Sequence, residues 1–204
     1  VLSTSERVSS YYPETFCVDF DHVIELGQAR NDVFFEDTVE DQEVPDWIKT
    51  NRIITYMPTH RKKGKSDKPL TKVINFEALN QLCNERNTYF LIKNHMYSKG
   101  KVPNKYDRII DASKQAIDPQ LLLKYTDVLV TDYSSCYTDF LLLNRPVVFY
   151  CYDLKSYLHS NEMYFDYEEV TPGPKVKTFD ELLESLDQIL QGYDHYADER
   201  KRVL

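Results

Sequence analysis

Short apolar runs recur along the chain, and each stops at a polar, turn-forming cluster. The clearest unit runs from Lys124 to Asp153. Val128 to Val130 reads as a strand that stops at Thr131-Asp132-Tyr133-Ser134-Ser135, and Cys136 to Leu143 follows as an amphipathic helix of about three turns. Asn144-Arg145-Pro146 breaks the pattern before a second apolar run, Val147 to Tyr150. The same alternation predicts strands at Ile53 to Met57, Tyr89 to Ile92 and Arg108 to Asp111. Helices are expected where Phe76, Leu79 and Leu82-Cys83 repeat, after Asp118-Pro119, over Leu154 to Leu158, and from the N-cap Thr178 through Phe179 to Leu190. Tyr164 to Val170 reads as extended.

Before this regular part, Val1 to Glu6 looks like the end of a strand entering a helix cap, as if the chain had been cut, and Val23 to Leu26 is a short strand candidate. Gly27 to Asp32 reads as a loop. Glu36 to Asp46 is acidic and poor in apolar residues, which suits an exposed connection. The expected division is therefore 1–46, a piece of one domain with its connection, and 47–204, an α/β domain.

Strands alternating with helices imply a Rossmann-like, mainly parallel sheet with helices on both faces, and ligands in such folds sit outside the carboxyl ends of the strands. Polar residues fall there: Thr59 and Arg61 after one strand, Lys93 and His95 after the next, Ser134 and Ser135 after a third. Arg61 and Lys93 supply positive charge, His95 a group titrating near neutrality, and the serines a helix N-terminus, which together suit a diphosphate. Each residue also has a plainer reading. The serines can be N-cap residues only, His95 a structural histidine, and the loop with Lys62, Lys63, Lys65 and Lys68 a solvated surface. Asp139, one turn after Ser135 and on the same face, can accept from ribose hydroxyls or stand exposed to water. His60 is undecided. No glycine-rich phosphate fingerprint is present, and no spacing suggests a metal.

Composition narrows the partners. A formal net charge of -8 over 204 residues argues against nucleic acid. Cys17, Cys83, Cys136 and Cys151 form no C-x-x-C pair and three of the four sit inside apolar periodic segments, so buried free thiols are the default and a reducing compartment is expected. No transmembrane stretch or signal peptide is evident, which predicts a soluble, cytoplasmic protein. The 16 tyrosines are expected beside strands with their hydroxyls at the surface.

YMPTHR (56–61), LIKNH (91–95), VTDYSSCYTDFLLLNRPVVFYCYD (130–153) and YFDYEEVTPGP (164–174) together resemble the CDP-glycerol glycerophosphotransferases, the teichoic-acid and capsule polymerases of bacteria. GQARND (27–32) is similar to the family's Gly-x-Pro-Arg-Asn-Asp segment, with Ala29 in the proline's place. The resemblance implies a GT-B transferase, of which this chain is the C-terminal, donor-binding half plus a short piece of the N-terminal domain. It implies transfer of a polyol phosphate from a CDP-linked donor to an acceptor hydroxyl, on a polyol phosphate or a saccharide, with release of CMP and no cofactor. His95 matches the catalytic histidine of that half; Arg30, Pro58, Thr59, Lys93, Asn94, Ser134, Ser135 and Asp139 match the donor site. The family acts at the inner face of the membrane. Its second histidine, the expected general base, has no counterpart here, so this chain alone is expected to bind donor weakly and to turn it over poorly. Asn161-Glu162 stands where the family usually shows Arg-Gly, and Met96 replaces a proline, which leaves polyol and acceptor open. A nucleotide-sugar glycosyltransferase half and a non-catalytic nucleotide-binding module remain the alternatives.

Overall fold

The computed structural model describes residues 1–37, 39–59, 69–94 and 102–204. Six parallel strands form the main sheet: β3 (Arg52–Met57), β4 (Thr88–Ile92), β5 (Ile109–Asp111), β6 (Val128–Thr131), β7 (Val147–Tyr150) and β8 (Lys175–Val176). A separate parallel pair, β1 (Leu2–Ser3) and β2 (Ile24–Glu25), precedes them. The first strand therefore has a partner, in the segment read as a short strand.

The main sheet is ordered β5-β4-β3-β6-β7-β8. From β3 the chain steps outward in one direction to β5, then returns to the other side of β3 and steps outward again. That is the doubly wound order, with its switch point between β3 and β6. Both faces are covered, which is why the strands read as continuous apolar runs. Successive side chains point to opposite faces. Ile54, Tyr56, Phe90, Ile92, Val128 and Val130 pack against the helices Phe76–Glu85 and Phe179–Leu190. Ile53, Met57, Leu91, Leu129, Val147 and Phe149 pack on the other face with Leu121, Leu122, Phe140 and Leu141.

Local chemistry sets the helix ends. Asn75 and Asp118 accept from Ala78 N and Gln120 N, and Thr178 forms a reciprocal capping box with Glu181. Gly173 is needed for close approach, since a Cβ there would lie 2.1 Å from the Val147 carbonyl oxygen.

Four expectations change. Residues 36–46 are not a free-standing exposed connection: Val44 is buried in the second core with Phe34 and Ile48, and Lys124 and Tyr125 donate to the buried Asp41. The Tyr164 to Val170 stretch is not extended throughout, because Asp166 caps a short helix, Tyr167–Val170. Cys136 to Leu143 is one α-helical segment, Cys136–Phe140, followed by a 3-10 turn, Leu141–Leu143. Several tyrosine hydroxyls lie inside, with Tyr133 donating to Asp153, Tyr167 to the Asp132 carbonyl, and Tyr150 to the Val73 carbonyl. A closing helix, Ala197–Val203, adds the fully buried Arg200, which grips Asp194 and the Asn144 turn.

Candidate functional site

The carboxyl ends of β3 and β6 meet at the switch point, and a buried carboxylate joins them. Asp132 has no exposed surface. Its Oδ1 accepts from Thr59 N at 2.8 Å, Thr59 Oγ1 at 2.6 Å and Tyr133 N at 2.6 Å. Thr131 Oγ1 donates to the Met57 carbonyl at 2.8 Å, a second tie between the same strand ends. Pro58 and Thr59 are thus held against the serine turn. Tyr133 braces it from below by stacking on Tyr157 at 3.9 Å and donating to Asp153, and burial pushes its phenol pKa up. Such a phenol stays neutral and serves as a strut.

The two serines differ. Ser134 Oγ accepts from Cys136 N at 3.5 Å, a long cap, whereas Ser135 is exposed at the N-cap position and makes no side-chain cap bond. Ser135 therefore keeps its hydroxyl for something outside the fold. Burial raises the Cys136 thiol pKa, so the neighbouring sulfur is an inert wall.

An open groove of about 680 Å³ runs beside this turn, lined by Arg30, Val33, Gln120, Ser134, Ser135 and Asp139 among others. Asp139 is buried and already engaged. Arg30 Nε and Nη2 donate to it at 3.1 and 3.3 Å, Asn31 Nδ2 at 2.8 Å and Gln120 Nε2 at 3.0 Å. The expectation that this carboxylate accepts from ribose hydroxyls, or stands exposed in water, is thereby revised. In this structure it anchors the Arg30-Asn31 segment to the groove wall.

Lys93 is also revised. Its ammonium donates to three backbone carbonyls, Ala112 at 3.3 Å, Gln115 at 3.2 Å and Ile117 at 2.9 Å. Burial holds it below the ordinary lysine pKa. These bonds use all three ammonium protons, so Lys93 fastens the segment after β5 rather than presenting charge to the rim. Asn94 is buried beside it, its N–H donating to Ser113 Oγ at 2.8 Å. His95 and Arg61, with His60, Met96 and the lysine-rich loop, lie outside the described residues. The structure thus brings Arg30, Ser134, Ser135 and Asp139 together at one groove and joins Thr59 to the serine turn. Asn31, Gln120 and Asp132 were not singled out from the sequence; only the adjacency of Asn31 to Arg30 and of Asp132 to the serines hinted at them.

The family model described as CDP-Glycerol:Poly(glycerophosphate) glycerophosphotransferase matches residues 1–204. The chain belongs to this family. Among family relatives, a teichoic acid poly(ribitol-phosphate) polymerase of Bacillus spizizenii is 33% identical over 192 residues, covering 90% of this chain and 31% of its own length. A teichoic acid glycerol-phosphate transferase of Staphylococcus aureus is 31% identical over 213 residues, covering 98% and 54%. A solved structure of the wall teichoic acid polymerase TagF superposes with a TM-score of 0.79 at 26% identity, covering 99% of this chain and 52% of that one. TagF has also been solved after soaking with CDPG, at a TM-score of 0.74, 27% identity, and coverage of 98% and 52%. The chain thus spans about a third to a half of these proteins. Among the described residues no helix is long and apolar enough to cross a membrane.

Proposed function

We propose that this protein transfers a polyol phosphate, glycerol phosphate or a close analogue, from a CDP-linked donor to an acceptor hydroxyl in the synthesis of a teichoic-acid-like or capsular polymer. The 204 residues supply the donor-binding half. The observation that carries this reading is the groove beside the serine turn after β6, walled by that turn and Arg30, in a chain that the family model matches from residue 1 to residue 204. The serine turn stands at the carboxyl end of a strand that flanks the switch point, the region where a parallel doubly wound sheet takes a nucleotide. The short helix after Ser135 begins at the same place, with Ser135 and Cys136 in the groove wall.

In this reading the diphosphate lies between Ser134-Ser135 and Arg30. The acceptor oxygen attacks the phosphorus that bears the polyol, a new P–O bond forms, and the bridging P–O bond breaks with its electron pair leaving on CMP. The acceptor proton passes to a base outside this chain. His95, by its match to the family motif, contacts the diphosphate and steadies the charge developing on CMP; Arg61 adds positive charge after β3. The division into a short N-terminal-domain piece, residues 1–46, and a donor domain, 47–204, belongs to the same proposal, in which Phe34 and Val44, packed in the second core, hold the connection against the donor domain. So do a complementary domain carrying the base and a place at the cytoplasmic face of the membrane.

Incubating a protein that joins this chain to a family N-terminal domain with CDP-glycerol or CDP-ribitol and a polyol-phosphate acceptor tests the proposal. Release of CMP with a new phosphodiester is expected. Release of a nucleoside diphosphate instead would convert the reading to glycosyl transfer, and neither product would make the chain a binding module.

A further inference from the structure

We propose that Gln120 is a positioning residue for the donor diphosphate, acting through Asn31 and Asp139 on the guanidinium of Arg30. The inference rests on the donor-binding reading above and assigns one more residue to it. Gln120 follows the Asp118 cap and Pro119 at the start of the helix Pro119–Lys124, so its side chain meets the segment carrying Arg30 and Asn31. Its Nε2 donates to Asn31 Oδ1 and to Asp139 Oδ2, both at 3.0 Å. Asn31 Nδ2 closes the triangle by donating to Asp139 Oδ1 at 2.8 Å.

The triangle fixes every orientation in it. Flipping either amide would set a carbonyl oxygen against a carboxylate oxygen, so both amides have one allowed direction. Each oxygen of Asp139 then holds one amide nitrogen and one guanidinium nitrogen: Asn31 Nδ2 and Arg30 Nη2 on Oδ1, Gln120 Nε2 and Arg30 Nε on Oδ2. The guanidinium is thus gripped along its Nε–Nη2 edge, which leaves Nη1 for a ligand. Arg30 remains half exposed, with 54% of its side chain open, although its anchor is buried. It is also the only cation among the described residues lining the groove. A free arginine would lose rotamer entropy when it met a phosphate; one held by a buried carboxylate has already lost it.

Calorimetry on the 204-residue chain with CDP and with CMP tests this. Gln120→Leu removes both donors, and the expected result is a loss of CDP affinity of about tenfold, the worth of one well-placed charge-assisted contact, with a smaller loss for CMP. Gln120→Glu keeps the shape and can donate only when protonated, so its CDP affinity is expected to recover as pH falls. This second variant carries the test if Gln120→Leu does not fold. In an Arg30→Ala background, Gln120→Leu is expected to change CDP affinity no further, whereas a merely structural role would give additive losses. Wild-type chain that binds neither nucleotide overturns the donor-binding reading and this inference with it. Wild-type binding with an unchanged CDP-to-CMP preference in Gln120→Leu, or additive losses with Arg30→Ala, overturns the inference alone.

Discussion

Replacing Asp132 by alanine is the sharpest test of how the groove is built. The carboxylate has no exposed surface, and its Oδ1 serves three donors, Thr59 N, Thr59 Oγ1 and Tyr133 N. The Tyr133 N–H is buried and would stay unsatisfied at a cost of about 1–3 kcal/mol, while the two Thr59 donors, at the half-buried rim, can turn to water for up to about 1 kcal/mol together. The expected loss is therefore about 1–4 kcal/mol, which in a domain of this size lowers Tm by roughly 2–16 °C. Asp132→Asn retains one acceptor oxygen and should lose about half as much. Trp47 is the sole tryptophan and packs on Tyr89 at 5.2 Å, so urea unfolding followed by its fluorescence reads the change. A loss below about 0.5 kcal/mol for Asp132→Ala at unchanged m-value would refute the reasoning, as would equal losses for the alanine and asparagine variants.

Ser135→Ala, which removes an exposed hydroxyl with no cap bond, is expected to leave stability within about 0.5 kcal/mol and to weaken CDP binding several-fold; equal CDP affinity in calorimetry would remove Ser135 from the site. Lys93→Met strands three carbonyls and should cost about 2–4 kcal/mol in urea unfolding while leaving CDP affinity within about threefold at temperatures where the variant is folded. Gly173→Ala must displace backbone, since its Cβ would meet the Val147 oxygen, and should lower Tm by more than about 4 °C in a thermal scan. Hydrogen bonding from Arg200 holds the Asp194 carboxyl pKa below its ordinary 3.8. The stability this pair contributes is full above that ordinary value and is lost as pH falls through the lower folded value, so the wild type and Asp194→Asn should converge in stability only in strong acid. Convergence already at pH 5 would contradict that coupling.

The sheet was legible because a strand buried on both faces leaves an apolar run, unbroken in Val128 to Val130 and Val147 to Tyr150 and interrupted only by Thr55 in Ile53 to Met57. The groove's location followed from topology, since parallel strands deliver their loops to one edge. What stayed hidden was where side chains point. Lys93 after a strand looks like a rim cation until the carbonyls of Ala112, Gln115 and Ile117 arrive from a segment about 20 residues on. Asp139 looks exposed on a helix until Arg30 and Asn31, more than 100 residues earlier, fold over it. Aromatic strand propensity in Tyr164 to Val170 lost to a local cap, Asp166 accepting from Glu168 N at 2.8 Å. In the acidic 36–46 stretch, one pair of half-buried partners for the buried Asp41 outweighed a composition that otherwise reads as solvent-facing.

Because all six strands of the main sheet run the same way, the molecule has a chemically quiet end as well as a reactive one. The turn around Glu85 enters β4 at its amino end, while Ile92 at the other end leads toward the rim. Five strand residues at about 3.3 Å each separate the two by roughly 17 Å. A fluorophore or immobilising tether on the thiol of a Glu85→Cys variant, with the exposed thiol of Cys17 exchanged, would leave the groove facing open solution. Surface-based binding measurements on this domain can therefore be made with every molecule presented in the same orientation.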